Sequence, residues 1–524
     1  MPGFLASIHY GAWVLPALLG IPLAGAALIR FVGRTALPGQ ELQAAPWREV
    51  RVLAFTTFAV EAVVALGLWW YVGPATGGYV ARIDLPWIQD WGARFTIGVD
   101  GISAVMILLT CLLMPLAVAG SWQVVTTKIR SYYSLLLVLT SGVIGVFVSL
   151  DLLLFYVFWE LMLIPMYFII GIWGGKERLR ASLRYFLVTM VGSLLMLVAI
   201  ILAWQASGGT TFGLESLQRS SALLSLDLTY QRWLFAAFFL AFAIKAAVFP
   251  FHTWLPDAQH EAPTTTAVAL SVKVGAYGVV RFAVPLFPGA AMDDGVRAIV
   301  LGLAVVGIVY GALVALVQPD FKKLVSYSSI SHVGFIILGL FALTETSVQG
   351  ALLVMVNTGI TSAAMMCILG MLHERRKTGM IANFGGIARV VPMLAAMLTL
   401  IAMSGIGLPG TNGFVGEFLV LLGAFREFPV TALLAATGVV LGAIYALWAI
   451  QRVIFNPLSN PENLKMKDLN RRELAVLSAF AVAILWIGVW PKPMLDRLSG
   501  PSQRFVLQVE QGARATAAFE AATP

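Results

Sequence analysis

Charged residues are scarce in this 524-residue chain: Asp, Glu, Lys and Arg make up 11% of it, whereas 59% of its residues are hydrophobic. Average soluble domains contain about 25% charged residues. A soluble protein of this composition could not cover its apolar surface, so we expect a membrane protein. The formal net charge of +8 is then better explained by basic cytoplasmic loops than by nucleic-acid binding.

Motifs that would hold a redox centre or a nucleotide are also missing. The two cysteines, Cys111 and Cys367, lie far apart in apolar runs, and the sequence contains no CxxC and no HExxH motif. No GxGxxG or Walker loop follows a plausible strand. These absences exclude a sequence-encoded iron–sulfur, structural zinc or nucleotide site. Electron carriers, if the protein uses any, are expected on other chains.

Fourteen apolar runs are each long enough to cross a bilayer, which takes about 20 residues. They predict an all-α polytopic membrane protein, and we number them spans 1 to 14. The apolar N-terminal run lacks a preceding basic stretch, so we expect a membrane span there and no cleaved signal peptide. Segment 502–522 is polar and short of a span, which predicts an amphipathic surface helix or a partly disordered tail. The runs are 11–29, 52–72, 101–121, 132–150, 152–173, 182–205, 232–250, 262–286, 297–317, 323–343, 348–372, 391–420, 430–453 and 473–490.

Lysines and arginines are concentrated in the odd-numbered connections between spans, for example in the stretches 176–184 and 375–389. The even-numbered connections hold few, and basic loops stay in the cytoplasm. We therefore expect a multi-pass protein of a bacterial-type inner (plasma) membrane with both termini on the outer (periplasmic) side. The connection 251–261, between spans 7 and 8, contains neither Lys nor Arg and breaks the trend.

Glu160 lies in the apolar stretch LLLFYVFWELMLIPMYFII of span 5. A charge at the centre of a membrane helix costs about 2.5–3.5 kcal/mol, so it usually faces a partner or a hydrated cavity. No cation lies within reach on the same helix. The carboxyl is therefore either protonated or paired with a cation from another helix. We interpret it as a functional group; the alternative is a static ion pair that fastens two helices.

Lys245 lies in the stretch FLAFAIKAAVFPFHTWLP of span 7, shortly before Pro250. Proline removes a backbone hydrogen bond and pushes the preceding turn apart, and such breaks are tolerated only beside protein or water. A lysine and a carboxylate change each other's proton affinity as their separation changes. A Lys245–Glu160 pair can thus trade a proton. The alternative is a lysine that snorkels to the interface.

Three further ionisable residues stand out in later spans. Lys273 lies inside span 8 and suggests, with Lys245, a file of titratable sites. His332 of span 10 is flanked by serines that could hold a water chain, although a lone helical histidine is often a hydrogen-bonded core residue. Glu417 follows the irregular stretch SGIGLPGTNGF of span 12, where the alternative is an interfacial helix cap.

Prolines interrupt spans 7 and 12, which are five spans apart. Paired broken helices at corresponding positions of two repeats indicate a transport site at the repeat interface. Five longer stretches resemble one known family, that of subunit M (chain 4) of the proton-pumping NADH–quinone oxidoreductases, respiratory complex I. The wider antiporter-like family includes large subunits of multisubunit Na⁺/H⁺ antiporters. The stretches are FYVFWELMLIPMYFIIGIWGG, KAAVFPFHTWLPDAQHEAPT, QPDFKKLVSYSSISHVGF, GMLHERRKTGMIANFGG and GLPGTNGFVGEFLVLLGAF.

The resemblance implies fourteen helices with two inverted five-helix repeats, spans 4–8 and 9–13. It divides the chain into N-terminal helices (1–121), a first repeat (132–286), a second repeat (297–453) and a last helix with its tail (473–524). It also implies a half-channel from the cytoplasm, a central lysine–histidine axis and an exit to the outside. The family's site residues map onto Glu160, Lys245, Lys273, His332 and Glu417.

Three departures from the family pattern affect this transfer. Ala247 replaces a proline that usually follows the span 7 lysine by two residues. The chain is three residues shorter than usual between Pro263 and Lys273, nearly one helical turn. The motif Asn–His–Gly of span 11 reads Asn357–Thr358–Gly359, and a hydroxyl cannot store a proton as imidazole does.

Three functions remain open from the sequence. The first is a non-redox, proton-translocating subunit of a complex I-type enzyme, with NAD(H), flavin, iron–sulfur clusters and quinone on partner subunits and none on this chain. Its partners would be paralogous and small membrane-arm subunits and lipids, and no nucleic acid. The second is a subunit of a multisubunit Na⁺/H⁺ antiporter. The third is an inert scaffold descended from a pump. The buried charges argue against it, because placing a charge in a membrane helix costs free energy.

Overall fold

The computed structural model of the protein describes residues 2–31, 45–73 and 76–522. Twelve helical stretches in these residues are long and apolar enough to cross a membrane. They correspond to every expected span except 7 and 12, each of which is divided into two shorter helices. The eleven spans with an uninterrupted α-helix are Tyr10–Phe31, Ala45–Tyr71, Gly101–Gly120, Ile129–Val148, Leu152–Trp173, Arg178–Ala206, Asp294–Leu316, Phe321–Ala342, Glu345–Arg376, Pro429–Ile450 and Arg471–Val489.

The three divided spans are 7, 8 and 12, of which the sequence predicted only 7 and 12 to be broken. Span 7 also extends further than the predicted 232–250, because its second half occupies part of the supposed connection 251–261. Membrane-depth breaks leave backbone groups that protein or water must satisfy. The pieces are Leu228–Ala246 and Leu255–Glu261 in span 7; Thr264–Ala269, Val274–Gly278, Val279–Ala283 and Val284–Leu286 in span 8; and Pro392–Gly405 and Asn412–Glu427 in span 12.

Burial separates inner spans from outer ones. In span 11, 94% of the most apolar window is buried within the protein, whereas in span 13 the value is 33%. Spans 3, 4, 8 and 10 are also largely buried. Side chains on the outer spans can be apolar on all sides because lipid, like a protein core, is an apolar solvent. The ionisable residues on spans 8 and 10 therefore lie inside a ring of helices.

Two matching backbone bridges relate the first repeat to the second. At the start of span 5, the amide of Leu214 donates to Leu150 and that of Leu152 donates to Phe212. At the start of span 10, Ile381 donates to Pro319 and Phe321 to Gly379 in the same pattern. Aspartates cap both helices, Asp151 on span 5 and Asp320 on span 10. Spans 5 and 10, five spans apart, thus begin with the same local hydrogen-bond pattern.

Two elements lie outside the spans. Strands β1 (Val80–Ile88) and β2 (Ala93–Val99) form an antiparallel hairpin between spans 2 and 3, which the sequence analysis did not anticipate. The tail is a single helix, Lys492–Ala522, that buries Phe505 and Val509. This result agrees with the amphipathic helix among the two expectations for segment 502–522.

The break in span 7 begins at Ala247, three residues before Pro250. Ala247 has φ = 63°, a left-handed conformation that costs an L-residue about 1–2 kcal/mol. Proline, which the family resemblance led us to expect here, cannot adopt a positive φ. The break is therefore made by the backbone of Ala247 as well as by Pro250.

Replacing Ala247 by Gly is expected to stabilise the protein by about 1 kcal/mol, because glycine adopts positive φ without steric cost. The adjacent Ala246→Gly variant is the control, since residue 246 is helical and glycine there should destabilise by about 0.5–1 kcal/mol. Thermal inactivation of the purified complex measures both effects. Equal destabilisation by the two glycines would contradict the left-handed assignment.

Candidate functional site

The lysine of span 7 contacts a tyrosine of span 6. Lys245 Nζ donates a hydrogen bond of 2.7 Å to the hydroxyl of Tyr185, and it lies 4.9 Å from the centroid of the same ring. Glu160 Oε1, on span 5, is buried with no hydrogen-bond partner among the described residues. No ion pair joins Glu160 to Lys245 in that part of the chain. The structure thus holds the two groups in a separated arrangement, with Lys245 on Tyr185.

The second half of span 7 fixes the end of the first half. The indole Nε1 of Trp254 donates to the carbonyl of Ile244 over 2.7 Å, and the same carbonyl accepts from the amide of Ala247 at 3.1 Å. The ring of Trp254 also contacts that of Tyr185, with 5.2 Å between centroids. Trp254 therefore contacts both the helix break and Tyr185, the hydrogen-bond acceptor of Lys245.

Lys273 lies at the break of span 8 and immediately precedes the helix Val274–Gly278. Its side chain is 5% exposed, and no hydrogen bond or ion pair to it occurs among the described residues. Two residues later, Gly275 packs against the backbone of Phe242 and Ala246 of span 7. The shortened segment before Lys273 is thus accommodated by interrupting the helix, and Lys273 remains beside the helix that bears Lys245.

The histidine of span 10 and the acid of span 12 form a direct pair. His332 Nδ1 lies 2.8 Å from Glu417 Oε1, and both side chains are largely buried. They line a cavity of about 50 Å³, which has room for roughly three to five water molecules at 10–15 Å³ each. Hydroxyl and amide groups complete its polar wall: Ser328, Asn357, Thr358, Thr361, Ser362, Ser404 and Tyr445.

Two asparagines connect span 11 to the break of span 12. Asn357 Nδ2 donates to the carbonyl of Asn412 at 2.5 Å, and Asn412 Nδ2 donates back to the carbonyl of Asn357 at 3.3 Å. Ser404 donates to Asn412 Oδ1 and is itself within 2.7 Å of the hydroxyl of Thr361. These bonds satisfy polar groups that the break exposes, which is the condition for irregular backbone at membrane depth.

Thr358 occupies the position where the resemblance led us to expect histidine. Its hydroxyl donates to the carbonyl of Val354, 2.7 Å away and one turn earlier, while the residue lines the cavity beside His332 and Glu417. A hydroxyl in this position can contact water but cannot hold a proton. Among the residues that line this cavity, His332 and Glu417 supply the imidazole and the carboxyl group.

A second cavity of about 550 Å³ lies at the N-terminal end of span 10, where Asp320 and Lys322 line it. His260 Nδ1 lies 3.0 Å from Asp320 Oδ1 at its wall, and Lys322 and His373 also line it. Burial raises the pKa of Asp320, but the bond and charge of His260 outweigh it and hold that pKa below its ordinary value. Phe321 lines both this cavity and the one around His332.

The five predicted site residues thus form two groups. Spans 5, 6 and 7 bring Glu160 and Lys245 to the same region, with Lys273 on the adjoining helix. His332 and Glu417 form the second group, in the second repeat. No bond among the described residues joins the groups, so any transfer between them needs water or a change in structure.

Two buried charged groups escaped the sequence analysis. Glu61 of span 2 is fully buried, and neither carboxylate oxygen has a partner among the described residues. It is a single acid in an apolar run, so the criterion that identified Glu160 would have found it. Arg281 of span 8 pairs with Asp100 at 2.5 Å. Its position in an apolar run was a signal, but its partner, 181 residues away, was not readable from sequence.

Known proteins resemble this chain in sequence and in fold. The chain matches the family described as NADH:quinone oxidoreductase/Mrp antiporter, TM, over residues 149–445. Residues 85–145 match the amino terminus of NADH-ubiquinone oxidoreductase chain 4. It is 40% identical to NADH-quinone oxidoreductase subunit M of Rhodobacter capsulatus, over 94% of this chain and 96% of that protein. The chain belongs to the subunit M/chain 4 family.

Family likeness extends to plants and to solved structures. Chain 4 of Marchantia polymorpha is 34% identical and matches 92% of this chain and 94% of its own length. A chain of respiratory complex I from Thermus thermophilus superposes with a TM-score of 0.83 at 32% identity, covering 95% of this chain and 99% of that chain. A chain of the Mrp complex from Dietzia sp. has a TM-score of 0.80 at 19% identity, with the same coverage. This last likeness concerns the fold alone.

Proposed function

We propose that this chain is the proton-translocating subunit M of a complex I-type NADH–quinone oxidoreductase. The single observation that supports translocation best is the buried His332–Glu417 pair, with 2.8 Å between its atoms, in a polar cavity of water size. Carboxylate and imidazole are the side chains best suited to exchange protons near neutral pH. Buried ionisable groups in membrane helices are expensive and usually mark an ion path.

The proposed path has two storage sites. In the first repeat, Lys245 holds a proton while the helices bring it to Glu160. Separation of the pair lowers the proton affinity of Lys245, and its proton passes to Lys273. In the second repeat, His332 and Glu417 hold a proton between them. Water in the cavity, together with hydroxyls such as Ser328 and Thr361, connects these groups. Moving charges past one another changes each group's proton affinity, which is how a distant reaction can drive the transfer.

Orientation and cofactors belong to the same proposal. Basic residues such as Lys176, Lys322 and Lys377 surround the 550 Å³ cavity, and basic loops face the cytoplasm. That cavity is therefore assigned to the cytoplasmic side of a bacterial inner membrane, and both termini to the outer side. NAD(H), flavin, iron–sulfur clusters and quinone are assigned to partner subunits, which reduce quinone and drive this chain.

Purification in mild detergent through an affinity tag on this chain tests the proposal. The expected result is co-purification of flavin- and iron–sulfur-containing subunits, with NADH-dependent quinone reduction in the eluate. Isolation with only small membrane subunits, accompanied by Na⁺/H⁺ exchange in vesicles and no NADH oxidation, would instead identify an antiporter subunit. The partner subunits in the same eluate serve as the reference for the variants described below.

A further inference from the structure

Three polar residues of span 8 occur four positions apart: Lys273, Tyr277 and Arg281. Residues at this spacing lie on one face of a helix. The amide of Tyr277 donates to the carbonyl of Lys273 at 3.1 Å, and Arg281 Nε donates to the hydroxyl of Tyr277 at 3.2 Å. The face therefore leads from the buried lysine to the end of the span nearest the β-hairpin. Arg281 lies in a π-helical turn, a feature frequent at functional sites.

Arg281 is the centre of a buried polar network. It pairs with Asp100 at 2.5 Å and also donates to the hydroxyls of Tyr79 at 2.9 Å and Ser103 at 3.2 Å. Ser103 in turn lies 2.9 Å from the hydroxyl of Tyr277. Arg281 is 8% exposed and Asp100 5%. Hydroxyl groups thus connect the ion pair to Tyr277, which lies one turn along span 8 from Lys273.

A cavity of about 660 Å³ begins at this ion pair. Its lining includes Asp100 and Arg281, and also Arg219 and Arg504, but neither Tyr277 nor Lys273. The pair therefore forms the boundary between the cavity and the inner face of span 8. The proposed orientation puts the cavity on the outer side, because it lies by the sparsely basic connection between spans 2 and 3.

We propose that the Arg281–Asp100 ion pair is a seal that keeps protons of the outer cavity from reaching Lys273 along span 8, an inference that rests on the proposed function. A fixed guanidinium repels protons from the outer cavity, while the hydroxyls of Tyr277 and Ser103 lie behind it. Burial raises the pKa of Asp100, but the Arg281 charge and hydrogen bond outweigh it and hold that pKa below its usual range. Asp100 therefore stays ionised and keeps Arg281 in place.

The test measures passive proton leak into proteoliposomes containing the whole complex, without NADH. Asp100→Asn and Arg281→Met are expected to raise the leak about tenfold, equivalent to a barrier lowered by about 1.4 kcal/mol. The control is Arg82→Gln, which breaks only exposed ion pairs on the same side of the protein. We expect its leak to equal that of the unmodified complex.

Removing one member of a buried pair leaves the other uncompensated and can prevent folding, whereas removing both is often tolerated. The double variant Asp100→Asn/Arg281→Met and the milder Tyr79→Phe therefore accompany the single ones. The double variant is expected to assemble and to leak about tenfold, and Tyr79→Phe about threefold, since it removes one hydrogen bond of roughly 0.5–1.5 kcal/mol. Assembled variants that pump and leak like the unmodified complex would overturn the seal and leave the pair as a structural clamp.

The leak also separates this inference from the proposed function. Glu417→Gln should abolish turnover-driven pumping without raising the leak, since Glu417 does not contact the ion pair. If Glu417→Gln left pumping intact while the Arg281 variants leaked, the proposed path through the second repeat would fail and the seal would stand. If Glu417→Gln abolished pumping and the Arg281 variants did not leak, the proposed function would stand and the seal would be overturned.

Discussion

Replacing Glu417 by Gln is expected to slow NADH-driven quinone reduction by the coupled complex at least about 100-fold, the lower range for a positioned acid–base group. The amide has nearly the same shape as the carboxyl and can still form a hydrogen bond with His332 Nδ1 in either direction. It cannot exchange a proton. The variant therefore keeps the shape of the cavity and removes its titratable carboxyl group. The rate is measured with NADH and a soluble quinone in membranes containing the variant complex.

Glu427→Gln is the matched control, because Glu427 is exposed at the end of the same half-helix, Asn412–Glu427. It should leave the rate unchanged, which excludes an effect of removing any carboxyl from this helix. The content of complex in the membranes is compared by the flavin that it holds. A Glu417→Gln complex with a normal rate and a normal proton yield would rule out Glu417 as a proton carrier.

Lys245→Ala is the second substitution with a large expected effect, again at least about 100-fold on the coupled rate. It removes the cation that donates to Tyr185 and that is proposed to pair with Glu160. Tyr185→Phe is milder, because the lysine keeps its charge and loses one hydrogen bond. Its expected effect is about tenfold or less. Initial rates of NADH-dependent quinone reduction at equal complex content give both values.

Arg232→Gln provides the comparison for Lys245→Ala. Arg232 is on the same half-helix and forms a surface ion pair with Asp293 at 2.6 Å, of a kind that contributes about 0–1 kcal/mol. Loss of this charge should leave the rate within about twofold. If Arg232→Gln and Lys245→Ala slowed the enzyme equally, the depth of Lys245 in the protein would have no special role.

Sequence reasoning went furthest where one physical property decides the structure. Bilayer thickness sets the length of an apolar run, so fourteen spans were found and the structure agrees. Proline and glycine reveal breaks, so spans 7 and 12 were expected to be interrupted. Pro250 indicated a disrupted turn before it, and the helix indeed ends at Ala246. The left-handed conformation of Ala247 was not predicted, because no local pattern of alanines indicates it.

Other features depend on long-range packing and were not readable. The break before Lys273 contains no proline, and it places Gly275 against the backbone of span 7. The pair Arg281–Asp100 joins span 8 to the N-cap of span 3. Neither local sequence indicates that these two segments are in contact. Tyr185 was likewise missed, because a tyrosine in an apolar span is ordinary until its hydroxyl is seen on Lys245.

The candidate site was predicted by residue type more successfully than by contact. Isolated charges in apolar runs led to Glu160, Lys245, Lys273, His332 and Glu417, because desolvation is costly for each. Their grouping was not predicted: the expected Lys245–Glu160 pair is separated in this structure, whereas His332 and Glu417 are in contact. Which charges pair at a given moment depends on helix positions that differ by a few ångströms.

The proposed transport account depends on a proton arriving at and leaving Glu417 while the complex works. Infrared difference spectra between the resting and the NADH-reduced complex detect this change through the carboxyl C=O stretch. The account predicts a carboxyl band that is present in the unmodified complex and in Glu427→Gln and is lost in Glu417→Gln. Identical carboxyl bands in all three complexes would contradict it, because Glu417 would then keep one protonation state throughout turnover.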